Sequence, residues 1–511
     1  MFDPKRISHA AIVVLVFVVV RSILGIAVRS SVAALYGVSD VTDAYFAAMT
    51  IPRRGGDFIV GSVVAFVIIP VIERRRAATG DKAAATDVIG LFNVLLLAAL
   101  ALSVGIWLSA PLLLDYVVAP GFDAPTRDLA ITLTRWCSPL LLLFSVSLIY
   151  TSFMHVHRDF LTPALAATLF PLCSLLALWL LPRQLGIVAL VYGNLTGCAV
   201  GFAVMFLAIR KKLPWRPTLR LGDRAVVRDL FQLAWPVLLT SVVMQVIMVM
   251  QQNAASRLPL PGQLSLIEYA QFITLAVYPI IIGPLLITIY PVMSHHGARD
   301  QHAELHVLAV RSFRMVLFLA LPLCILTITQ ARSIVAVLYA YGKFDQAAVA
   351  PCASLIAILG VIIVLHSVTH ITKRLFNVLG HNRTANIATT IIVLGSCAAL
   401  FPAAERAGIN GIAAVYVIAS ALVTLSDVVI LKIQWQSMRI TTTFVQALPI
   451  LISGALMFAV VFAVQSLRRS QSLLDLTICC VAGVGAYLVG AAFCRLEELT
   501  LIRSRLKELL N

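Results

Sequence analysis

The most restrictive feature of this sequence is a long run without charge, because residues 88–114 contain no Asp, Glu, Lys or Arg. A helix needs about 20 apolar residues to cross a bilayer, so this run is long enough to span one. Across the whole chain, 60% of residues are hydrophobic and 12% are charged, whereas soluble domains are about 45–50% apolar and about 25% charged. The sequence therefore predicts an all-α polytopic membrane protein. Short strands of alternating polarity, typical of a membrane β-barrel, are missing.

Charge clusters, Pro/Gly turns and the ends of apolar runs divide the chain into about fourteen transmembrane helices. The predicted spans are 8–36, 41–72, 87–115, 128–154, 159–182, 185–209, 227–256, 265–293, 305–331, 346–372, 382–404, 409–431, 442–467 and 473–494.

The distribution of Lys and Arg orients these spans. If the N-terminus lies in the cytoplasm, 26 of the 39 basic residues fall on the cytoplasmic side and 8 on the other. Basic residues concentrate in cytoplasmic loops of membrane proteins, so both termini are predicted to be cytoplasmic. The net charge of +16 is then a topology signal that also attracts anionic lipids, and nucleic acid is not expected as a partner.

Two related halves are visible in the sequence. After span 3 the chain reads "YVVAPGFD" (116–123), and after span 9 it reads "LYAYGKFD" (338–345). Two six-helix lobes of this kind are typical of alternating-access carriers with parallel repeats. The predicted domains are an N-lobe with a basic linker (1–224), a C-lobe (225–440) and a region with spans 13–14 and an amphipathic tail (441–511). The tail is expected to lie on the inner membrane surface.

Charged side chains within the first two spans mark the candidate site. Arg53, Arg54 and Asp57 interrupt the apolar run of span 2, and span 1 carries Arg21 and Arg29. A charge at membrane depth costs at least about 2.5–3.5 kcal/mol and therefore faces a protein interior or a water-filled cavity. Guanidinium groups match the oxygens of phosphate and pyrophosphate, which predicts an anion-binding cavity.

The same helix places further polar groups on one stripe. At 100° per residue, Asp43, Thr50 and Arg54 share a face of span 2. The arginines also have an alternative, structural role. Asp43 and Asp57 are available to neutralise two of them, and such pairs would bind helices together. On spans 7 and 8, polar side chains suit either sugar hydroxyls or helix–helix hydrogen bonds. The candidates there are Gln245, Gln251, Gln252, Asn253, Glu268 and Gln271.

Other polar residues give no evidence of catalysis. His366 and His370 are four residues apart without a third ligand in view, so packing is favoured over a metal site. Asp427 and Arg135 are left open as partners of each other or as residues of the cavity. No nucleotide-binding motif or zinc spacing is present, so we expect a carrier that is not an enzyme and has no metal or other cofactor.

The first two spans also carry a family signature. The stretch "RSILGIAVRSSVAALYGVSDVTDAYFAAMTIP" (21–52), with "APGFD" (119–123), "FLTPALAATL" (160–169) and "YGKFD" (341–345), resembles the MurJ/MviN lipid II flippases of the MOP exporter superfamily. The resemblance covers most of the chain and implies a flippase for a polyprenyl-pyrophosphate-linked saccharide in the bacterial inner membrane. It implies roles in peptidoglycan biosynthesis and cell shape, with enzymes of cell-envelope synthesis as partners.

The sequence departs from the family pattern at the charged positions. The family order Ser-Arg is inverted to Arg21-Ser22 in this sequence. The next arginine of the family pattern aligns with Val28, and Arg29 follows one residue later. On span 8, the cavity arginine of the family aligns with Phe272. Asp43 is retained. A flippase for another lipid-linked oligosaccharide, of exopolysaccharide or O-antigen type, therefore stays an alternative, and a cation-coupled small-molecule exporter is a more distant one.

Overall fold

The structure is a computed structural model that describes residues 4–56, 90, 93–156, 159–210, 242–243, 245–277, 283–299, 301–435, 440–467 and 472–500. Within these residues the chain is helical apart from short turns, and no strand occurs. Ten helices are long and apolar enough to cross a membrane, by a search restricted to the same residues. The all-helical membrane fold is thus confirmed, and the count of fourteen spans is consistent with it but stays a prediction.

The chain divides into two compact units, Met1–Ser265 and Leu266–Asn511. The helices of the first unit are α1 (Pro4–Tyr36), α2 (Asp40–Gly56), α3 (Asn93–Val118), α4 (Ala124–Val156), α5 (Leu161–Leu180), α6 (Val188–Arg210) and α7 (245–256). Helix α8 (Gln263–Val277) begins in the first unit and continues into the second. The predicted lobe boundary at 224 falls in residues outside those described.

The described residues of the second unit contain eight further helical ranges. They are α9 (Gly283–Gly297), α10 (His302–Thr329), α11 (Ala331–Leu338), α12 (Gln346–Gly360), α13 (Ile362–Leu379), α14 (Asn382–Gln434), α15 (Ile440–Leu467) and α16 (Leu473–Phe493). The range of α14 consists of two helices, the predicted spans 11 and 12, which meet at Gly408, where the backbone leaves the helical region at φ 57 and ψ −140.

Close helix packing in the first unit depends on small residues. Helix α6 packs against α5, and its glycines at four-residue spacing face the α5 backbone. A Cβ at Gly197 would lie 2.8 Å from the Cα of Phe170, and one at Gly201 would lie 2.9 Å from the carbonyl oxygen of Ala166. Because lipid tails supply no hydrophobic drive between helices, such close backbone contact is what holds membrane helices together.

The last two helices and the start of the tail belong to the second unit. Helix α15 packs on α10 and α16, and Met457, Val461 and Tyr487 share a buried cluster with Phe318 of α10. Leu496, at the start of the tail, is buried in the same cluster. The tail predicted to lie on the membrane surface therefore begins inside the helix bundle, and its residues 501–510 lie outside the described chain.

An ion pair fixes this segment to α10. Arg314 Nε lies 2.7 Å from Glu498 Oε1, and the side chains are 15% and 5% exposed. Replacing Glu498 with alanine leaves a buried guanidinium without its carboxylate, which is expected to lower the free energy of unfolding by about 3 kcal/mol. The midpoint of thermal unfolding in detergent measures this loss.

The neighbouring Glu497 is exposed and gives the matched control, since Glu497→Ala should leave the midpoint unchanged. The double variant Arg314→Leu/Glu498→Leu should recover most of the loss, because it removes both charges together. Equal midpoints for Glu497→Ala and Glu498→Ala would rule out a stabilising role for this pair.

Candidate functional site

The polar stripe of α2 faces the segment 245–265 within the first unit. The Oδ1 of Asp43 accepts a hydrogen bond from the backbone N–H of Ser265 at 2.7 Å. The hydroxyl of Thr50 donates to Gln252 Oε1 at 2.6 Å. Nη1 of Arg54 donates to Gln245 Oε1 at 3.5 Å. Residues later in α2 contact residues earlier in the other segment, so α2 and this segment run antiparallel.

Asp43 is the buried end of this stripe. Its side chain is 5% exposed, and its partner Ser265 lies in the first turn of α8. The first N–H groups of a helix have no partner within the helix, and the positive end of its dipole favours a carboxylate. Asp43 therefore caps α8 from a distant part of the sequence.

The arginines occupy different surroundings. Arg29 on α1 places its guanidinium 4.5 Å above the ring of Phe46 on α2, a cation–π contact that joins the two helices. Arg29 and Arg54 are half-buried, whereas Arg21 and Arg53 are exposed. Asp57, one of the two carboxylates available to neutralise the arginines, lies outside the described residues.

Asn253 has a mainly architectural position. Its amide nitrogen donates to the carbonyl of Val117 at 2.9 Å, and its Oδ1 accepts from Nε of Arg257 at 3.0 Å. The backbone N–H of Gly121 donates to the hydroxyl of Ser256 at 3.3 Å. The end of α7 thus holds the loop that follows α3.

Gly121 permits this contact because it has no side chain. A Cβ there would overlap the carbonyl oxygen of Ser256, so Gly121→Ala should push the loop away from the end of α7. We expect a loss of about 1–3 kcal/mol in stability, as for other overpacked sites. Thermal unfolding of the purified variant measures the loss.

Gly105 on α3 is the control, since a Cβ there meets nothing within 4 Å. Gly105→Ala should therefore cause no loss. If Gly121→Ala and Gly105→Ala unfold at the same midpoint, the contact does not constrain the loop.

Gln251 on α7 is buried. The remaining predicted residues lie on α8 in the second unit. Gln271 is buried and Glu268 is half-buried. The structure thus brings Asp43, Arg54, Gln245 and Gln252 into one array with Ser265, and it places Asn253 beside the loop after α3.

The sequence did not single out a polar cluster beneath α2. The amide nitrogen of Asn194 on α6 donates to the hydroxyl of Tyr45 at 2.8 Å, and the hydroxyl of Ser174 on α5 donates to Asn194 Oδ1 at 2.7 Å. Asn194 is an amide within an otherwise apolar span, and that is the signal that marks it. The cluster fixes the face of α2 that carries Tyr45.

Asp427 and Arg135 have separate partners. Asp427 forms an ion pair with Lys373 at 3.0 Å, and the guanidinium of Arg135 lies 5.4 Å from the ring centre of Trp107. His366 lies 3.4 Å from the hydroxyl of Ser420. The rings of His366 and His370 are 6.5 Å apart, and no group of three His, Cys, Asp or Glu residues suited to a metal occurs in the described part of the chain.

The fold is that of MOP-superfamily transporters. A structure titled "Inward-facing conformation of a multidrug resistance MATE family transporter of the MOP superfamily" matches with a TM-score of 0.69 at 16% identity, over 84% of this chain and 99% of the other. A structure titled "Lipid II flippase MurJ, inward closed conformation" matches with a TM-score of 0.80 at 19% identity, over 95% and 99%. The chain belongs to the lipid II flippase MurJ family, whose model matches residues 32–479.

Named relatives agree with this assignment. The lipid II flippase MurJ of Burkholderia cenocepacia is 26% identical over 370 residues, which cover 70% of each chain. A probable lipid II flippase MurJ of Bdellovibrio bacteriovorus is 25% identical and covers 98% of this chain and 97% of its own length. The family expected from the N-terminal motif is therefore confirmed.

Proposed function

We propose that this protein moves lipid II, a polyprenyl-pyrophosphate-linked peptidoglycan precursor, across the bacterial inner membrane without covalent chemistry. The observation that carries the proposal is the match of the lipid II flippase MurJ model to residues 32–479. The proposed orientation keeps both termini in the cytoplasm, in line with the distribution of basic residues.

In this mechanism the charged residues of α1 and α2 bind the pyrophosphate. Arg21, Arg29, Arg53 and Arg54 supply forked donors that match phosphate oxygens. Gln245 lies within hydrogen-bond distance of Arg54 and would hold the guanidinium in place when the substrate is absent. The remaining proposed contacts are Asp43, Asp57, Gln252, Asn253, Glu268 and Gln271.

Transport is proposed to follow alternating access, in which the site opens to one side of the membrane at a time. Asp43 and Ser265 would contribute to one of the two states, because their hydrogen bond joins segments more than 200 residues apart. A ligand shifts such an equilibrium only by its differential affinity for the two states. Pyrophosphate bound by Arg54 would compete with Gln245 and so favour release of α7 from α2.

The lipid tail requires an apolar surface. Helices α15 and α16 carry exposed Leu451, Phe458, Phe462, Val481 and Val489. We propose that these helices accept the polyprenyl chain. Anionic lipids and cell-envelope synthesis enzymes are the further proposed partners.

Complementation tests the proposal. The chain is expressed in a strain depleted of its own lipid II flippase, and growth and normal cell shape are expected. A matched strain depleted of an O-antigen flippase should show no rescue.

The departures at Arg21-Ser22 and Phe272 favour a second candidate, a flippase for another lipid-linked oligosaccharide. Rescue of the second strain alone, with the chain abundant in both membranes, would support that candidate and contradict lipid II as the substrate.

A further inference from the structure

The ammonium group of Lys373 on α13 lies within a set of oxygen atoms supplied by α14. Its Nζ donates to Thr389 Oγ1 at 2.8 Å, to Asp427 Oδ1 at 3.0 Å and to the carbonyl oxygen of Ala385 at 3.4 Å. The set therefore contains a carboxylate, a hydroxyl and a backbone carbonyl, all of which are ligands of hard cations.

The carboxylate of this set is fully enclosed. The side chain of Asp427 is 0% exposed, and that of Lys373 is 26% exposed. The second oxygen of Asp427 accepts a hydrogen bond from the hydroxyl of Thr372 at 3.3 Å, and the hydroxyl of Thr389 donates to the carbonyl of Ala385 at 2.8 Å. The oxygens are thus held in place by hydrogen bonds of their own.

The three ligands come from the two helices that make up α14. Ala385 and Thr389 precede the kink at Gly408, and Asp427 follows it. A simple ion pair would need only the carboxylate. Here one cation on α13 contacts both halves of α14 and so links three helical segments.

We propose that these oxygens form a monovalent-cation site that the chain fills with the side chain of Lys373. The second unit then needs no dissolved cation at this position. Removal of the lysine exposes a site for K⁺ or NH₄⁺ in particular, because an ammonium group and K⁺ are of similar size. Na⁺ should bind less well, and choline is too large to enter.

Lys373→Ala tests this inference in the full-length protein. The midpoint of thermal unfolding is measured in detergent with KCl, NH₄Cl, NaCl or choline chloride at equal ionic strength. The wild type should have one midpoint in all four salts. The variant should be less stable in choline and should gain about 2–4 °C, saturably, in KCl or NH₄Cl, because a cation that binds only the folded state stabilises it.

Two controls separate this site from a general salt effect. Arg374 is the next residue and also half-buried, and it donates to the carbonyl of His370 at 3.2 Å; Arg374→Ala should show no cation dependence. In Lys373→Met/Asp427→Leu the carboxylate is absent, so the cation dependence should disappear, while replacement of both charges by apolar groups keeps the fold.

Three results would overturn the inference. The first is a wild type whose midpoint depends on K⁺ as strongly as that of Lys373→Ala. The second is a Lys373→Ala variant with one midpoint in all four salts. The third is failure to recover Lys373→Ala in any salt while the double variant is recovered in all, which would reduce Lys373 to an ordinary ion-pair partner.

Discussion

Replacement of Arg54 by alanine is expected to reduce lipid transport by at least about tenfold, since a hydrogen bond to a charged group contributes roughly 1.5–3 kcal/mol. The protein should still insert, because the hydrogen bond that Arg54 donates to Gln245 joins it to a neutral amide. Arg54→Lys should restore transport only in part, because an ammonium group lacks the fork that fits two phosphate oxygens. Flipping is measured per molecule, after normalisation to membrane abundance.

The control for Arg54 is Arg183, an exposed arginine in a short helix of the same unit. Arg183→Ala should transport at the wild-type rate. The double variant Arg21→Ala/Arg54→Ala should be inactive and still abundant in the membrane. Normal flipping by this double variant would end the proposal that these arginines bind the pyrophosphate.

Asp43→Ala is expected to produce the second large effect. It removes the acceptor for the N–H of Ser265, and a buried donor without a partner costs about 1–3 kcal/mol. Asp43→Asn keeps an acceptor without the charge and should lose less. Thermal unfolding measures the stability, and flipping per molecule measures the function.

Asp128 provides the comparison for Asp43, because its side chain is 73% exposed. Asp128→Asn should change neither quantity. If Asp43→Ala and Asp128→Asn behave alike, the contact with Ser265 supports neither the fold nor the transport cycle.

The helices were largely predictable because lipid allows few alternatives. Backbone groups in a bilayer must be hydrogen-bonded within the helix, so long apolar runs mark the spans. The predicted spans 442–467 and 473–494 correspond to Ile440–Leu467 and Leu473–Phe493. Spans 11 and 12 were separated correctly, because the two helices of α14 meet at the non-helical Gly408.

The site was predictable only along one helix. Helical periodicity placed Asp43, Thr50 and Arg54 on a common stripe, and all three contact the segment 245–265. Their partners could not be assigned, because nothing local to α2 specifies a neighbour about 200 residues away. For Asn253 the sequence left substrate contact and helix packing open, and in the structure its amide donates to the carbonyl of Val117.

The sequence did not indicate a partner for Lys373, one of the 26 basic residues assigned to the cytoplasmic side. The positive-inside rule explains a lysine near the end of a span without any partner, so it was counted only as a topology signal. The structure places it on the buried Asp427, 54 residues further along the chain. Charge counting finds such residues but cannot distinguish them from lysines in loops.

Transport of labelled lipid II by the purified protein in proteoliposomes is the most direct test of the proposed function. The fraction of labelled lipid accessible from outside is followed over time for the wild type, for Arg21→Ala/Arg54→Ala and for Arg183→Ala. Wild type and Arg183→Ala should expose the lipid at equal rates, and the double variant should match empty liposomes. A wild-type rate no faster than that of empty liposomes, with a labelled O-antigen precursor transported instead, would contradict lipid II as the substrate.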